Sequence, residues 1–340
     1  MLSLLNLMIL GINSVPKLSL FISYVLLWTS QSILVHLANK RGIIYNPISA
    51  VFMQDLGKLM ITGILFVSTE GNIFELLKNV KQFRILFLLY LIPAGLYAIY
   101  NNLTFYALSR FDPSSYFVLM QFKIVVTALL SVLVLGKVIT KYQWVALFVI
   151  MFGSMLKESS AIFSGEVPNR SIADYLVILV QLLISAFAGI YNEKLLKGVS
   201  ATPNVQNVFM YVDGIICNSL ALIFRGELLS ALSQQNLATL ASPNILAIIL
   251  NFSVVGVVTG FFIKHLGNVL KTIAGALELW TVAILSALIF GYPITFSAAI
   301  GIAFVSFGVW LYSYDPVTSS YQPIKVSETE SSKMELQPLK

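Results

Sequence analysis

Charged side chains inside apolar runs are where this sequence could do chemistry. In residues 111–136, FDPSSYFVLMQFKIVVTALLSVLVLG, Lys123 stands near the middle of a segment long enough to cross a bilayer as a helix. An isolated charge at that depth costs about 2.5–3.5 kcal/mol on insertion scales, so a compensating partner or a function is expected. Four further charges share the setting. Asp55 and Lys58 lie in the run 45–68, and Lys271 and Glu278 in the run 268–290. The interior charges Lys58, Lys123, Asp55, Asp213 and Glu278 sum to minus one, and Lys264 with Lys271 brings the sum to plus one. Converging lysines suit a phosphate-bearing anion, and they would also suit a carboxylate.

Neither catalysis nor a resident cofactor is indicated. His36 and His265 are far apart, no Asp- or Cys-rich cluster has metal-ligand spacing, and the one cysteine, Cys217, cannot form an intrachain disulfide. A membrane-embedded glycosyltransferase therefore lacks a metal motif or a catalytic pair. Recognition is better provided for. Tyr116, Lys123, Thr127 and Ser131 fall on one helical stripe, Lys271, Gly275 and Glu278 on another, and Asn207, Tyr211, Gly214 and Asn218 on a third. Asp213 turns away from that third stripe. Asn101 and Asn102, in YNNLTFYALS, place amides beside aromatics, an arrangement that suits a nucleobase. Hydrogen bonding to neighbouring backbone is the competing reading for both asparagines. Asp55 and Lys58, three residues apart, can pair on one face, and a place at a cavity or gate explains them better than a core role.

The elements that must position these groups are membrane helices. Of 340 residues, 58% are hydrophobic and 11% charged, against about 25% charged in soluble domains. Ten spans are expected at 17–37, 45–68, 84–108, 111–136, 141–157, 173–193, 204–224, 244–264, 268–290 and 293–313. The apolar opening, MLSLLNLMILG, is short and reads as an interfacial lead-in. The glycines of GVVTG, Gly256 and Gly260, form a face for close packing within the fold or, less simply, for dimerisation.

The chain also repeats itself. Residues 129–140, LLSVLVLGKVIT, align with 284–295, ILSALIFGYPIT, six of twelve positions being identical. Five spans per half then require inverted topology: an N-terminal repeat over 1–157, a lumenal linker over 158–172, a C-terminal repeat over 173–314 and a disordered cytosolic tail over 315–340. The same offset carries Lys123 onto Glu278. The two charges can neutralise each other across a central site, either as a ligand contact awaiting its anion or as a purely structural pair.

Placing both termini in the cytosol puts most of the lysines there, as the positive-inside rule asks. Of the sequons, those at Asn102 and Asn251 fall inside spans, which leaves Asn169 as the one that could be glycosylated. The tail contains YQPI, residues 321–324, with the spacing of a tyrosine-based sorting signal.

Four blocks in order, YNNLTFYALSRFDPSSYFVLMQFKIVVTALLSVLVLG, AGIYNEKLLKG, VQNVFMYVDG and KHLGNVLK, resemble the CMP-sialic acid/UDP-galactose branch of the nucleotide-sugar transporters, within the drug/metabolite transporter superfamily. The likeness spans roughly residues 17–313. It implies an all-α fold of ten transmembrane helices in a Golgi or related membrane. It also implies antiport of a cytosolic UDP-sugar, UDP-galactose first, for lumenal UMP. UDP-N-acetylglucosamine, another UDP-sugar, or the substrate of a broader drug/metabolite exporter are the alternatives. Expected partners are the UDP-sugar, UMP and the lipid bilayer, with room for a homo-oligomer and none for nucleic acid; no cofactor is implied. The family's substrate-site pattern carries onto Asn101, Asn102, Tyr116, Gln121 and Lys123, and onto Asn207, Tyr211, Asn268 and Lys271. Its span-2 pair matches Asp55 and Lys58, and its EK motif matches Glu193 and Lys194. The chain departs from the pattern at Gly267, where an aspartate is usual, at Phe209, where a glutamine is frequent, and at Glu278, where a small residue is usual.

Overall fold

The computed structural model describes residues 14–43, 45–111, 113–158 and 171–314, together with Leu10 and Ile12. Asn169, YQPI and most of the expected linker and lead-in lie outside the described residues. The helices are α1 (Val15–Lys40), α2 (Pro47–Thr69), α3 (Ile73–Gln82), α4 (Arg84–Arg110), α5 (Pro113–Met120), α6 (Lys123–Leu135) and α7 (Lys141–Glu158). They continue as α8 (Ile172–Gly198), α9 (Pro203–Phe224), α10 (Leu228–Ala231), α11 (Gln234–Leu240), α12 (Pro243–His265), α13 (Asn268–Phe290) and α14 (Phe296–Tyr314). Among the described residues there is no strand, and nine stretches are long and apolar enough to cross a membrane. The fifth expected span, 141–157, which forms α7, contains only a shorter apolar helix, Lys141–Leu156.

Local chemistry sets the helix ends. Proline occupies the first turn of α1, α2, α9 and α12, where its missing N–H is no loss. Asn46 caps α2 by accepting from the Ile48 and Ser49 amides, and Ser171 with Asp174 forms a reciprocal cap on α8. Gly136 (φ +63°) and Gly291 (φ +70°) close α6 and α13 in the left-handed conformation that glycine adopts without penalty.

Two features differ from the sequence expectation. The segment 111–136 is two helices, interrupted at Gln121 and Phe122. There the amides of Gln121, Phe122 and Ile124 donate three residues back, to Val118, Leu119 and Gln121, at 3.2, 3.3 and 3.0 Å. Short surface helices also join the spans. In α3, capped by Asn72 and Glu75, Leu76 is buried toward α9 while Phe74 and Leu77 remain exposed.

Helices that the sequence offset pairs meet face to face. A Cβ on Gly153 of α7 would stand 2.8 Å from the Gly301 carbonyl of α14, and a Cβ on Gly308 of α14 would stand 3.1 Å from the Ala146 carbonyl of α7. These contacts make α7 and α14 antiparallel. Helices α2 and α9 are antiparallel as well, because Asn218 reaches Asp55 (2.8 Å) while Asn204 reaches Glu70 (2.7 Å) at the other end. Leu10 and Ile12 of the lead-in are buried, with the Leu10 amide donating to Ser313 Oγ of α14 at 2.8 Å.

Candidate substrate-binding site

The interruption makes Lys123 the first residue of α6, at a helix start without a side-chain cap. Its ammonium lies within the electrostatic reach of Glu278 and Lys271, both on α13. Glu278 Oε1 accepts from Ser32 Oγ of α1 at 2.7 Å. Charges from two distant parts of the sequence, on α6 and α13, thus come within electrostatic reach of one another, and α1 holds Glu278 from the side.

A second cluster joins α2, α9 and α12. Lys58 Nζ donates to Asp55 Oδ1 at 2.9 Å, and Asn218 Nδ2 donates to Asp55 Oδ2 at 2.8 Å. The Lys58 ammonium stands 4.9 Å from the Phe252 ring centroid and 5.9 Å from that of Tyr211, so its apolar surroundings include two π faces. Gly256 makes room for it, since a Cβ there would lie 2.6 Å from Lys58 Cδ. Gly260 likewise leaves room for Asn207. The GVVTG glycines therefore serve close packing inside the fold, and what they admit is polar. Buried Asn207 leaves its Nδ2 without a partner among the described residues, and so does Oδ1 of Asn268, whose side chain packs on Gly189.

Other expected residues point elsewhere. Tyr116 turns from Lys123 toward α8, where Gln181 Nε2 donates to its hydroxyl at 2.9 Å and to Thr104 Oγ1 at 2.6 Å. The helix break explains this, because tightening the turn rotates α5 relative to α6 and splits the stripe expected over 116–131. Gln121 donates to the Phe117 carbonyl of its own segment at 3.2 Å. Asn102 Nδ2 donates to the Ala98 carbonyl at 2.9 Å, and Asn102 Oδ1 accepts from Arg225 at 3.4 Å, which matches the backbone reading of this asparagine. Asn101 is half-buried on α4. Asp213 is fully buried, with neither carboxylate oxygen hydrogen-bonded among the described residues.

A third cluster was visible in the sequence only as the EK motif. Lys194 is exposed, whereas Glu193 is fully buried. Glu193 Oε1 pairs with Lys137 at 2.6 Å and with Lys197 at 2.7 Å, while Oε2 accepts the first amide of α13, that of Asn268, at 2.8 Å. A carboxylate at that helix start is favoured by the helix dipole. Burial holds the Lys137 ammonium below the usual lysine range, with Glu193 opposing the shift. Gly267, where the family pattern has aspartate, takes φ +88° beside this carboxylate, and Lys264 Nζ donates to the Leu196 carbonyl. The sequence reading missed both partners of Glu193; the i, i+4 spacing to Lys197 could have signalled one, whereas Lys137, 56 residues away, gave no signal.

The geometry is that of a polar site enclosed by apolar helices, and comparison with known proteins shows whose. The family model "Nucleotide-sugar transporter" matches residues 13–313. The chain belongs to the nucleotide-sugar transporter family. The transporter is 37% identical over 339 residues to UDP-galactose transporter senju of Drosophila melanogaster, covering 88% of this chain and 87% of that protein. It is 27% identical to CMP-sialic acid transporter 1 of Oryza sativa subsp. japonica, covering 84% and 90%. It is 28% identical to the UDP-galactose translocator of Mus musculus, covering 78% and 70%. A solved structure described only as a crystal structure of a protein shares the fold at TM-score 0.64 and 12% identity, over 88% of this chain and 98% of that one. Family and apolar helices together identify a multi-pass membrane protein, and they point to transport in place of an enzymatic reaction.

Proposed function

We propose that the transporter exchanges a cytosolic UDP-sugar, UDP-galactose first, for lumenal UMP across a Golgi membrane. Its ten spans form two inverted five-helix halves with both termini in the cytosol. The antiparallel pairing of α7 with α14 and of α2 with α9 supports the inversion, and the reciprocal glycine contacts support a two-fold relation between the halves. In this reading α7 is the fifth span despite its shorter apolar stretch.

The observation that carries the substrate class is that the ammonium groups of Lys123 and Lys271, on two helices, lie within electrostatic reach of each other inside apolar surroundings. Two ammonium groups meet the charge of a pyrophosphate, which the surrounding apolar helices otherwise exclude. Asn207 and Asn268, each with an unpartnered buried amide atom, supply neutral contacts for the nucleotide, and Tyr211 and Phe252 supply aromatic faces.

The Glu193 cluster closes the cytosolic end by tying the α6–α7 loop, α8 and the start of α13 together. Opening toward the cytosol breaks these pairs, and a bound anion offsets the cost by neutralising Lys123 and Lys271. The empty carrier switches slowly because those lysines then lack their phosphate. The test is counterflow: purified transporter in UMP-loaded proteoliposomes accumulates UDP-galactose, and external UMP competes. Equal uptake into empty vesicles, or uptake insensitive to UMP, would overturn the proposal.

A further inference from the structure

The wall beyond the lysines has a different chemistry. On α1, Trp28 and Ser32 are one turn apart, and Trp28 lies edge-on to Phe252 of α12, with ring centroids 5.4 Å apart. The Phe252 ring also carries the Lys58 ammonium, so lysine, phenylalanine and tryptophan form one continuous surface. Trp28 Nε1 is buried beside Tyr24 with no hydrogen-bond partner among the described residues. One turn along α1, Ser32 Oγ donates to Glu278 Oε1 at 2.7 Å and so holds that carboxylate toward α1. A ring N–H, a carboxylate and aromatic faces are together what a hexose needs. Its hydroxyls donate to the carboxylate and accept from the indole, and its C–H face lies on the rings.

Spacing agrees. Glu278 lies seven residues beyond Lys271 on the uninterrupted helix α13, about 10 Å at the helical rise. A pyrophosphate held at the lysines places the attached sugar within that reach.

We infer that Glu278, held toward α1 by Ser32 one turn from Trp28, forms the sugar subsite and selects neutral hexoses by accepting their hydroxyls while repelling sugars that carry a carboxylate. This rests on the UDP-sugar reading above. Selection of this kind has an attractive part and a repulsive one. The second part distinguishes a sugar-reading carboxylate from one that merely balances Lys123, because removing a mere counter-charge changes the affinity for every anion alike.

The experiment uses full-length wild type, Glu278→Gln and Ser32→Ala in UMP-loaded proteoliposomes, with UDP-galactose, UDP-glucuronate and UMP supplied outside. For Glu278→Gln the expected result is a fall of at least fivefold in the UDP-galactose to UMP exchange ratio. The UDP-glucuronate to UDP-galactose ratio should rise at least tenfold. Ser32→Ala, which keeps the charge but frees the carboxylate to swing, should move both ratios the same way by a smaller factor. Parallel changes that leave both ratios within twofold of wild type in both variants overturn the subsite alone. Absence of uridine-nucleotide exchange by the wild type overturns the functional reading and the subsite with it.

Discussion

Helices α5 and α6 on one side and α13 on the other are paired by the sequence offset that aligns 129–140 with 284–295, yet one is broken and the other is continuous. The bounds correspond closely: Pro113 falls on Asn268, and the left-handed cap Gly136 on Gly291. In the first half the chain tightens at Gln121 and Phe122 and restarts at Lys123; in the second it runs through Glu278, which Ser32 holds from the side. The difference teaches a division of labour. The tightened turn sets Lys123 at the start of a helix, whereas the unbroken helix holds the Glu278 carboxylate at a fixed distance from Lys271 seven residues before it.

Removing the ammonium at the break is the hardest blow to that division. Lys123→Ala should cut UDP-sugar counterflow by roughly 100-fold, as expected when a buried charge contact of about 3 kcal/mol is lost. Activity near wild type would mean that the broken helix does not hold the phosphate. Next in size is the tie between the two regions, since Glu193 joins the loop after α6 to the first amide of α13. Glu193→Ala leaves Lys137 and that amide without their buried acceptor, and should lower stability by about 3 kcal/mol, read as a lower melting temperature in detergent.

The two-fold relation itself can be sharpened with Gly153→Val and Gly308→Val. Each forces a side chain against backbone of the facing helix and should cost about 1–3 kcal/mol. Similar losses of melting temperature are expected, and a loss confined to one variant would show that the two contacts are not equivalent. The smallest effect belongs to Tyr116→Phe, which removes the hydroxyl that Gln181 donates to and should cost about 1 kcal/mol of stability. A large rise in KM for UMP in that variant would place Tyr116 at the nucleotide, with the Gln181 bond broken when the site fills.

Much of this was legible beforehand because partition into lipid is decided residue by residue over windows of about twenty. Nine of the ten expected spans and the pairing of Asp55 with Lys58 follow from local spacing. The break did not follow. Positions 121 and 122 carry neither proline nor glycine, while Pro93 lies inside α4 without ending it. Helix continuity here depends on which neighbours pack against each turn, and a proline in α4 is accommodated as it often is between membrane helices.

The sequence by itself determined that the chain spans a membrane many times, that 129–140 and 284–295 share one pattern, and which few residues bring charge into the apolar interior. Each of these is a property of composition and period along the chain. Only the tertiary structure decided which partners those charges meet: Glu278 with Ser32, Lys58 with Phe252, Tyr116 with Gln181, Glu193 with Lys137. These partners lie tens to hundreds of residues apart, and a buried polar group takes its partner from whichever helix packing brings within about 3 Å, a choice that no local pattern encodes.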